Sequence, residues 1–102
     1  MIDKDKVELI VSEVVYLSKN DEAAFFEWLK KLLCVDCVDG RGRNLYIHVN
    51  VPNLDEDSLR ELISLFKRYD IPMGQLSIFD NDSFAGWFRN EKADWYKSVF
   101  SK

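Results

Sequence analysis

Histidine and cysteine are scarce in this chain of 102 residues, which has one histidine and two cysteines. A structural zinc site takes about four such ligands, so these residues do not complete one. No apolar run approaches the roughly 20 residues of a membrane span, and the charged N-terminus lacks the apolar core of a secretory signal. We therefore expect a cytoplasmic protein that contacts no membrane and carries no metal or other cofactor.

Basic residues are in the minority as well. The chain has 14 Lys and Arg against 18 Asp and Glu, which gives a net charge of −4 and a pI of about 4.9. This balance disfavours nonspecific binding to nucleic acid or anionic membranes, since both require a basic surface. Residues 54–82 alone sum to −4, whereas residues 83–102 sum to +2. The negative charge therefore precedes the C-terminal segment, and it suits a basic protein partner.

The length predicts a single domain, residues 1–102, with a core of its own. Residues 4–18 carry apolar side chains at helical spacing, which predicts a first helix although the valines also suit a strand. A second helix begins at Asn20 or Asp21 and has an unusually wide apolar face. The apolar positions of the two helices are Val7, Ile10, Val11, Val14 and Leu17, then Phe25, Phe26, Trp28, Leu29, Leu32 and Leu33.

The middle of the chain predicts a β-hairpin. Residues 35–39 and 45–51 flank the glycine-rich sequence Gly-Arg-Gly-Arg at 40–43. Apolar and polar side chains alternate from Leu45 to Val51, which is typical of a half-buried strand. The turn itself could resemble a small RNA-binding patch, but glycines at a hairpin tip have a conformational explanation.

The second half predicts a helix, a strand and a helical tail. Asn53 and Glu56 fit a capping pattern before the apolar stripe Leu59, Leu62, Ile63 and Phe66. Residues 75–79 predict a short strand parallel to the hairpin strand, and helical pieces follow from near Asp82 and near Asn90. The order is then α-α-β-β-α-β-α. This is a small α+β sandwich, a three-stranded mixed sheet packed with about four helices.

Parallel strands would bring the loop at 50–57 close to the loop at 80–82. Five carboxylates would then share one edge of the sheet: Asp55, Glu56, Asp57, Asp80 and Asp82. Helix capping and the helix dipole explain acidic residues at such positions without any partner. Mutual repulsion among five carboxylates, however, is tolerated where a cationic partner uses the field. The sequence therefore predicts an acidic partner-binding edge.

The C-terminal segment is rich in aromatic residues. Six large rings lie between positions 84 and 100: Phe84, Trp87, Phe88, Trp95, Tyr96 and Phe100. Most of them should close the core of a small domain. Six rings exceed one helical stripe, however, and Trp and Tyr are enriched among interface hot spots. Trp87, Trp95 and Tyr96 are therefore the candidate anchors for a partner.

Two other motifs could carry chemistry. Cys34 and Cys37 match the C-x-x-C spacing of redox sites, yet they enter a strand and read mainly as packing residues. His48 is the only candidate general base, and it lies on the polar phase of its strand. An enzyme built on these residues lacks a convergent nucleophile, base and orienting group. We therefore expect no catalytic site.

The last forty residues resemble small bacterial immunity proteins of contact-dependent growth inhibition and related polymorphic toxin systems. The resemblance lies in LRELISLFKRYDIP from Leu59, then QLSIF, GWF and DWYKSVF. It implies a cytoplasmic inhibitor of one cognate toxin domain, often a basic nuclease. It supplies no contact residues, so the site residues above come from charge and aromatic placement alone.

The leading hypothesis is thus a non-enzymatic inhibitor with an acidic edge and aromatic anchors. The alternative is a small adaptor or regulatory module, which could be homodimeric. Direct nucleic-acid binding would require the basic residues of the tail on one face, namely Arg89, Lys92, Lys97 and Lys102.

Overall fold

The computed structural model of the protein describes residues 5–12 and 14–100. Two short 3₁₀ helices, Val51–Asn53 and Met73–Phe79, accompany three strands and four α-helices in this part of the chain. The strands and α-helices are β1 (Lys6–Ser12), α1 (Lys19–Lys31), β2 (Val35–Arg41), β3 (Asn44–Asn50), α2 (Glu56–Arg68), α3 (Ala85–Phe88) and α4 (Tyr96–Phe100). The predicted α+β class is confirmed.

The sheet is antiparallel throughout, so the prediction of a mixed sheet was wrong. Its strand order is β1-β3-β2, and β3 pairs antiparallel with both neighbours. The predicted hairpin is β2 and β3, joined by a two-residue turn in which Gly42 has a φ of 61°. Glycine enters this left-handed region without steric cost, which fits a tight turn with glycine at its first central position.

The predicted first helix was wrong, because Lys6–Ser12 form β1. Residues 4 and 13 of that prediction lie outside the described residues. Leu9 and Val11 are buried and Ile10 is exposed, so the strand alternation decides which side chains enter the core. β1 pairs along its whole length with β3, from Lys6 opposite Asn50 to Ser12 opposite Asn44. This long-range pairing overrides a helical spacing made largely of valines.

The predicted parallel strand at 75–79 is instead part of the 3₁₀ helix Met73–Phe79. Leu76 and Phe79 are both buried, and residues three apart lie on one side of a 3₁₀ helix. The three-residue spacing of Leu76 and Phe79 therefore lets this segment bury one side without pairing with a strand. The parallel β-helix-β unit and the order α-α-β-β-α-β-α were therefore wrong in this half of the chain.

Both long helices begin at side-chain caps. Ser18 accepts a hydrogen bond from the Asp21 amide at the start of α1, and Asp55 accepts one from the Ser58 amide at the start of α2. The predicted cap Asn53 lies in the 3₁₀ helix before α2. Capping of this kind satisfies amide groups that have no partner within the helix.

The helices cover one face of the sheet. Leu9, Val11, Ile47 and Val49 point from the sheet into a core that they share with helical side chains. The helical contribution comes mainly from Phe25, Leu29, Leu59, Leu62, Leu65, Phe66, Leu76, Phe79 and Phe88. Alternation places Glu8, Ile10, Tyr46, His48 and Asp39 on the opposite, solvent-facing side. The domain thus has two layers and one open sheet face.

Candidate functional site

The three carboxylates at the start of α2 have different local roles. Asp55 accepts the Ser58 amide at 2.8 Å, and this hydrogen bond lowers the pKa of Asp55. Glu56 pairs with Arg60 one turn later, with 2.9 Å between Oε2 and Nε. Asp57 is exposed and has no hydrogen bond or ion pair to any residue in 5–12 or 14–100. Asp57 is therefore the carboxylate of this group that is most available to a partner.

Arg60 joins the acidic residues to the aromatic tail. Its guanidinium group lies 4.1 Å from the ring centroid of Trp87 and 6.0 Å from that of Trp95. The two indole rings meet edge to face at 6.0 Å, and Trp95 Nε1 donates to the Phe88 carbonyl at 3.3 Å. A cation over an indole face is stabilised by the ring quadrupole. Glu56 and the two tryptophans therefore surround the guanidinium group of Arg60.

The second acidic group, Asp80 and Asp82, lies near Arg89, the residue that follows α3. The two carboxylate oxygens of Asp80 share the N–H of Arg89 Nε, at 2.8 and 3.0 Å, and this hydrogen bond raises the pKa of that guanidinium. Asp82 is exposed and adds to the negative field around Arg89. Since Arg60 packs on Trp87 and Arg89 follows α3, both acidic groups reach residues 87–89 through an arginine.

One carboxylate of each predicted group is thus linked to residues 87–89, Glu56 through Arg60 and Asp80 through Arg89, and the expected reason for a meeting of the two groups was wrong. No parallel strands bring the two loops together, and the link is made by side chains. We call the set Asp55, Glu56, Asp57, Asp80, Asp82, Arg60, Arg89, Trp87 and Trp95 the acidic–aromatic surface. Its five carboxylates and two guanidinium groups leave a formal charge of −3. The two arginines relieve part of the repulsion that the sequence analysis expected to remain.

The aromatic residues divide into core and partly exposed rings. Phe84 and Phe88 are buried, whereas Trp87, Trp95 and Tyr96 are half-buried. Tyr96 packs against Phe100 at 5.2 Å, and no ring contact joins it to the two tryptophans among the described residues. Of the three predicted anchors, Trp87 and Trp95 therefore belong to the acidic–aromatic surface, and Tyr96 lies beside it in α4.

Trp87 has an additional feature. Its Nε1 atom is buried and has no hydrogen-bond acceptor among the described residues. Leaving such a donor unsatisfied costs about 1–3 kcal/mol. The ring is therefore held at this position by its packing against Phe84, Phe88, Trp95 and Arg60 rather than by its polar atom.

The two cysteines have different environments. Cys34 is buried, and burial raises the pKa of its thiol, which favours the neutral and less reactive form. Cys37 is exposed, and both cysteines are free thiols. Cys34 therefore behaves as a packing residue, whereas Cys37 does not, so the expectation of two packing cysteines holds for Cys34 alone.

His48 lies on the open face of the sheet between carboxylates from both neighbouring strands. Its Nδ1 atom is 3.6 Å from Glu8, and its Nε2 atom is 4.0 Å from Asp39. These neighbours could not be predicted locally, because Glu8 is 40 positions and Asp39 is 9 positions from His48 in the sequence. Strand pairing brings the three side chains together. Within residues 5–12 and 14–100, no three His, Cys, Asp or Glu side chains are arranged to hold a metal ion.

Sequence reasoning also missed Arg60, the residue that organises the acidic–aromatic surface. One signal was present, since Glu56 and Arg60 are four positions apart and would share a helix face. Nothing local predicted the stacking on Trp87, which lies 27 positions away. Ile78 was also missed as a surface residue, and its side chain is 62% exposed on the 3₁₀ helix before Asp80.

No protein-family model, curated protein or solved structure shows significant similarity to this chain. The helices in the described part of the chain are too short or too polar for any of them to cross a bilayer.

Proposed function

We propose that this protein is a non-enzymatic inhibitor, an immunity protein that binds and neutralises a cognate bacterial toxin with a basic domain such as a nuclease. The observation that carries the proposal is the arrangement of Glu56, Arg60 and Trp87. Charged and aromatic groups already contact one another there, beside exposed carboxylates. Such a surface would have less side-chain freedom to lose on binding.

The two kinds of group would have separate roles in binding. Asp57 and Asp82 are exposed, and they would attract Lys and Arg side chains of the toxin and speed its association. Trp87 and Trp95 would supply the apolar contact that sets the residence time, because buried anchors act mainly on dissociation. Inhibition would follow from covering the toxin's active site. The proposal places the protein in the cytoplasm, where such a toxin acts.

Co-expression tests the proposal most simply. The toxin candidate is the protein encoded by the reading frame directly upstream of this gene. Expressed alone in a bacterial host, it should stop growth, and co-expression of the present chain should restore growth. If an upstream toxic protein remains toxic in the presence of this chain, the proposed function is wrong.

A charge-reversed pair sharpens this experiment. Asp57→Lys with Asp82→Lys should protect less well, because both carboxylates belong to the acidic–aromatic surface and neither caps a helix. The matched control is Glu22→Lys with Glu27→Lys, which makes the same change in net charge on exposed residues of α1. The control should protect like the native chain.

An adaptor that forms homodimers is the second candidate function. One observation favours it, namely that β2 lies at an edge of the sheet and its outer side has no partner among the described residues.

A further inference from the structure

The two edges of the sheet differ in how their main-chain groups are satisfied. At the β1 edge, the side chain of Gln75 acts as a substitute strand. Its Oε1 atom accepts the Ile10 amide and its Nε2 atom donates to the Ile10 carbonyl, both at 2.8 Å. An unpaired edge is a template for pairing with another chain, and natural proteins usually block it. Gln75 blocks the β1 edge in this way at Ile10.

The β2 edge is not blocked by any described residue. A two-residue turn makes Arg41 and Asn44 a hydrogen-bonded pair. Along the hairpin from there, residue pairs that are not hydrogen-bonded alternate with pairs that are. The main-chain groups of Val38 and Gly40 therefore face away from β3. No hydrogen bond to these groups comes from elsewhere in residues 5–12 and 14–100. A second strand could bind there through the main chain.

Gly40 is a second sign that another backbone approaches this edge. Glycine weakens the interior of a strand, and it often marks a site where a backbone comes close. Nothing inside the described domain requires glycine here. A Cβ atom at this position would meet only Leu45 Cδ2, at an ordinary 3.7 Å, and Gly40 does not have a positive φ.

Charge selects the register for a second copy of the same strand. A bulge between Val35 and Cys37 interrupts the ladder, so residues 37–41 form the regular stretch. Antiparallel self-pairing centred on Asp39 would place two Asp39 carboxylates opposite each other. Self-pairing centred on Gly40 places Asp39 opposite Arg41 of the second copy, twice. Opposite charges directly across a strand pair are stabilising, and like charges are destabilising.

We propose that this protein forms a two-fold symmetric homodimer through β2, with Gly40 on the axis and Asp39 of each copy paired with Arg41 of the other. The two three-stranded sheets then join into a single six-stranded sheet. Arg41 already contacts Asp39 of its own chain at 3.0 Å and stacks over Tyr46 at 4.6 Å. Its remaining N–H groups are available to the second carboxylate, because a guanidinium group has five donors.

Sedimentation velocity from micromolar to millimolar concentration, with charge-swapped variants, tests this dimer. The native protein should dimerise. Asp39→Arg alone and Arg41→Asp alone should each weaken dimerisation roughly tenfold or more, since each change creates two like-charged pairs. An equimolar mixture of the two variants should dimerise again, and so should the chain that carries both changes. Circular dichroism checks that each variant is folded.

Amide hydrogen exchange supplies a second measurement. The Gly40 amide, which pairs with Gly40 of the second copy, should become protected as concentration rises, whereas the Asp39 amide, which faces β3, should be protected at all concentrations. A native protein that stays monomeric throughout would overturn the proposal. So would single variants that dimerise like the native chain, or protection of Gly40 that appears only when a different protein is added.

Discussion

The acidic–aromatic surface and the β2 edge are opposite kinds of binding surface. In the first, side chains are already paired with one another, since Arg60 is held by Glu56 and Trp87. In the second, main-chain groups at Val38 and Gly40 have no partner among the described residues. The first can act at a distance through its charge and would bind an unlike, basic protein. The second acts only on contact, and its charge pattern matches a second copy of itself.

Removal of the Trp87 ring should have the largest effect on the acidic–aromatic surface. Trp87→Ala leaves Arg60 without its stacking partner and opens a gap beside Phe84 and Phe88. We expect the free energy of unfolding to fall by about 3 kcal/mol, near the lower end for deletion of a large ring because this one is half-buried. Urea denaturation measures the change.

Trp87→Phe is the matched control for that substitution. It keeps a ring under Arg60 and removes the buried Nε1 donor that has no acceptor. The free energy of unfolding should stay near the native value or rise by about 1 kcal/mol. A loss as large as that of Trp87→Ala would mean that the indole N–H is satisfied in solution, and our description of the ring would be wrong.

Gln75→Ala tests whether the two sheet edges differ because of one side chain. The substitution removes two hydrogen bonds to Ile10 and should lower the free energy of unfolding by about 1 kcal/mol. It also opens the β1 edge, so a tendency to self-associate through β1 should appear. Ser77→Ala, on the same 3₁₀ helix, is the control. Equal self-association of the two variants would remove Gln75 as the cause of the difference.

The pH dependence of Asp55 should be the smallest effect. Its folded pKa is lower than its unfolded value, so its contribution to stability is present at neutral pH and is lost as pH falls through the folded pKa, below roughly pH 4. Asn is an equally good cap but does not titrate. The melting temperature of Asp55→Asn should therefore fall less on acidification than that of the native chain. Identical melting curves across the acid range would contradict this role.

Local patterns predicted the elements that depend on neighbouring residues. The alternation from Leu45 onwards predicted β3, and the stripe from Leu59 to Phe66 predicted α2. β1 could not be separated from a helix because Val7 and Val11 fit both periods, and its long-range pairing with β3 decided the outcome. The prediction of a strand at residues 75–79 failed for a similar reason, since Leu76 and Phe79 suit a short strand or a 3₁₀ helix equally well.

The candidate site was predictable in its parts and not in its assembly. Charge runs identified the carboxylates, and composition identified Trp87 and Trp95. Their connection depends on Arg60 crossing from α2 to α3 and on Arg89 reaching Asp80. Such contacts are set by how helices pack in space, which a single sequence does not display. The open β2 edge is likewise visible only once the strand order is known.

The central claim is that the acidic–aromatic surface attracts a basic toxin, and the rate of association tests it most directly. Stopped-flow mixing with the upstream-encoded toxin domain would compare the native chain, the Asp57→Lys/Asp82→Lys variant and the Glu22→Lys/Glu27→Lys control. At low ionic strength the Asp57→Lys/Asp82→Lys variant should associate roughly tenfold more slowly than the native chain. Added salt should reduce this difference between the two association rates. The control should remain close to the native rate. Equal rates for all three proteins at low salt would contradict the claim.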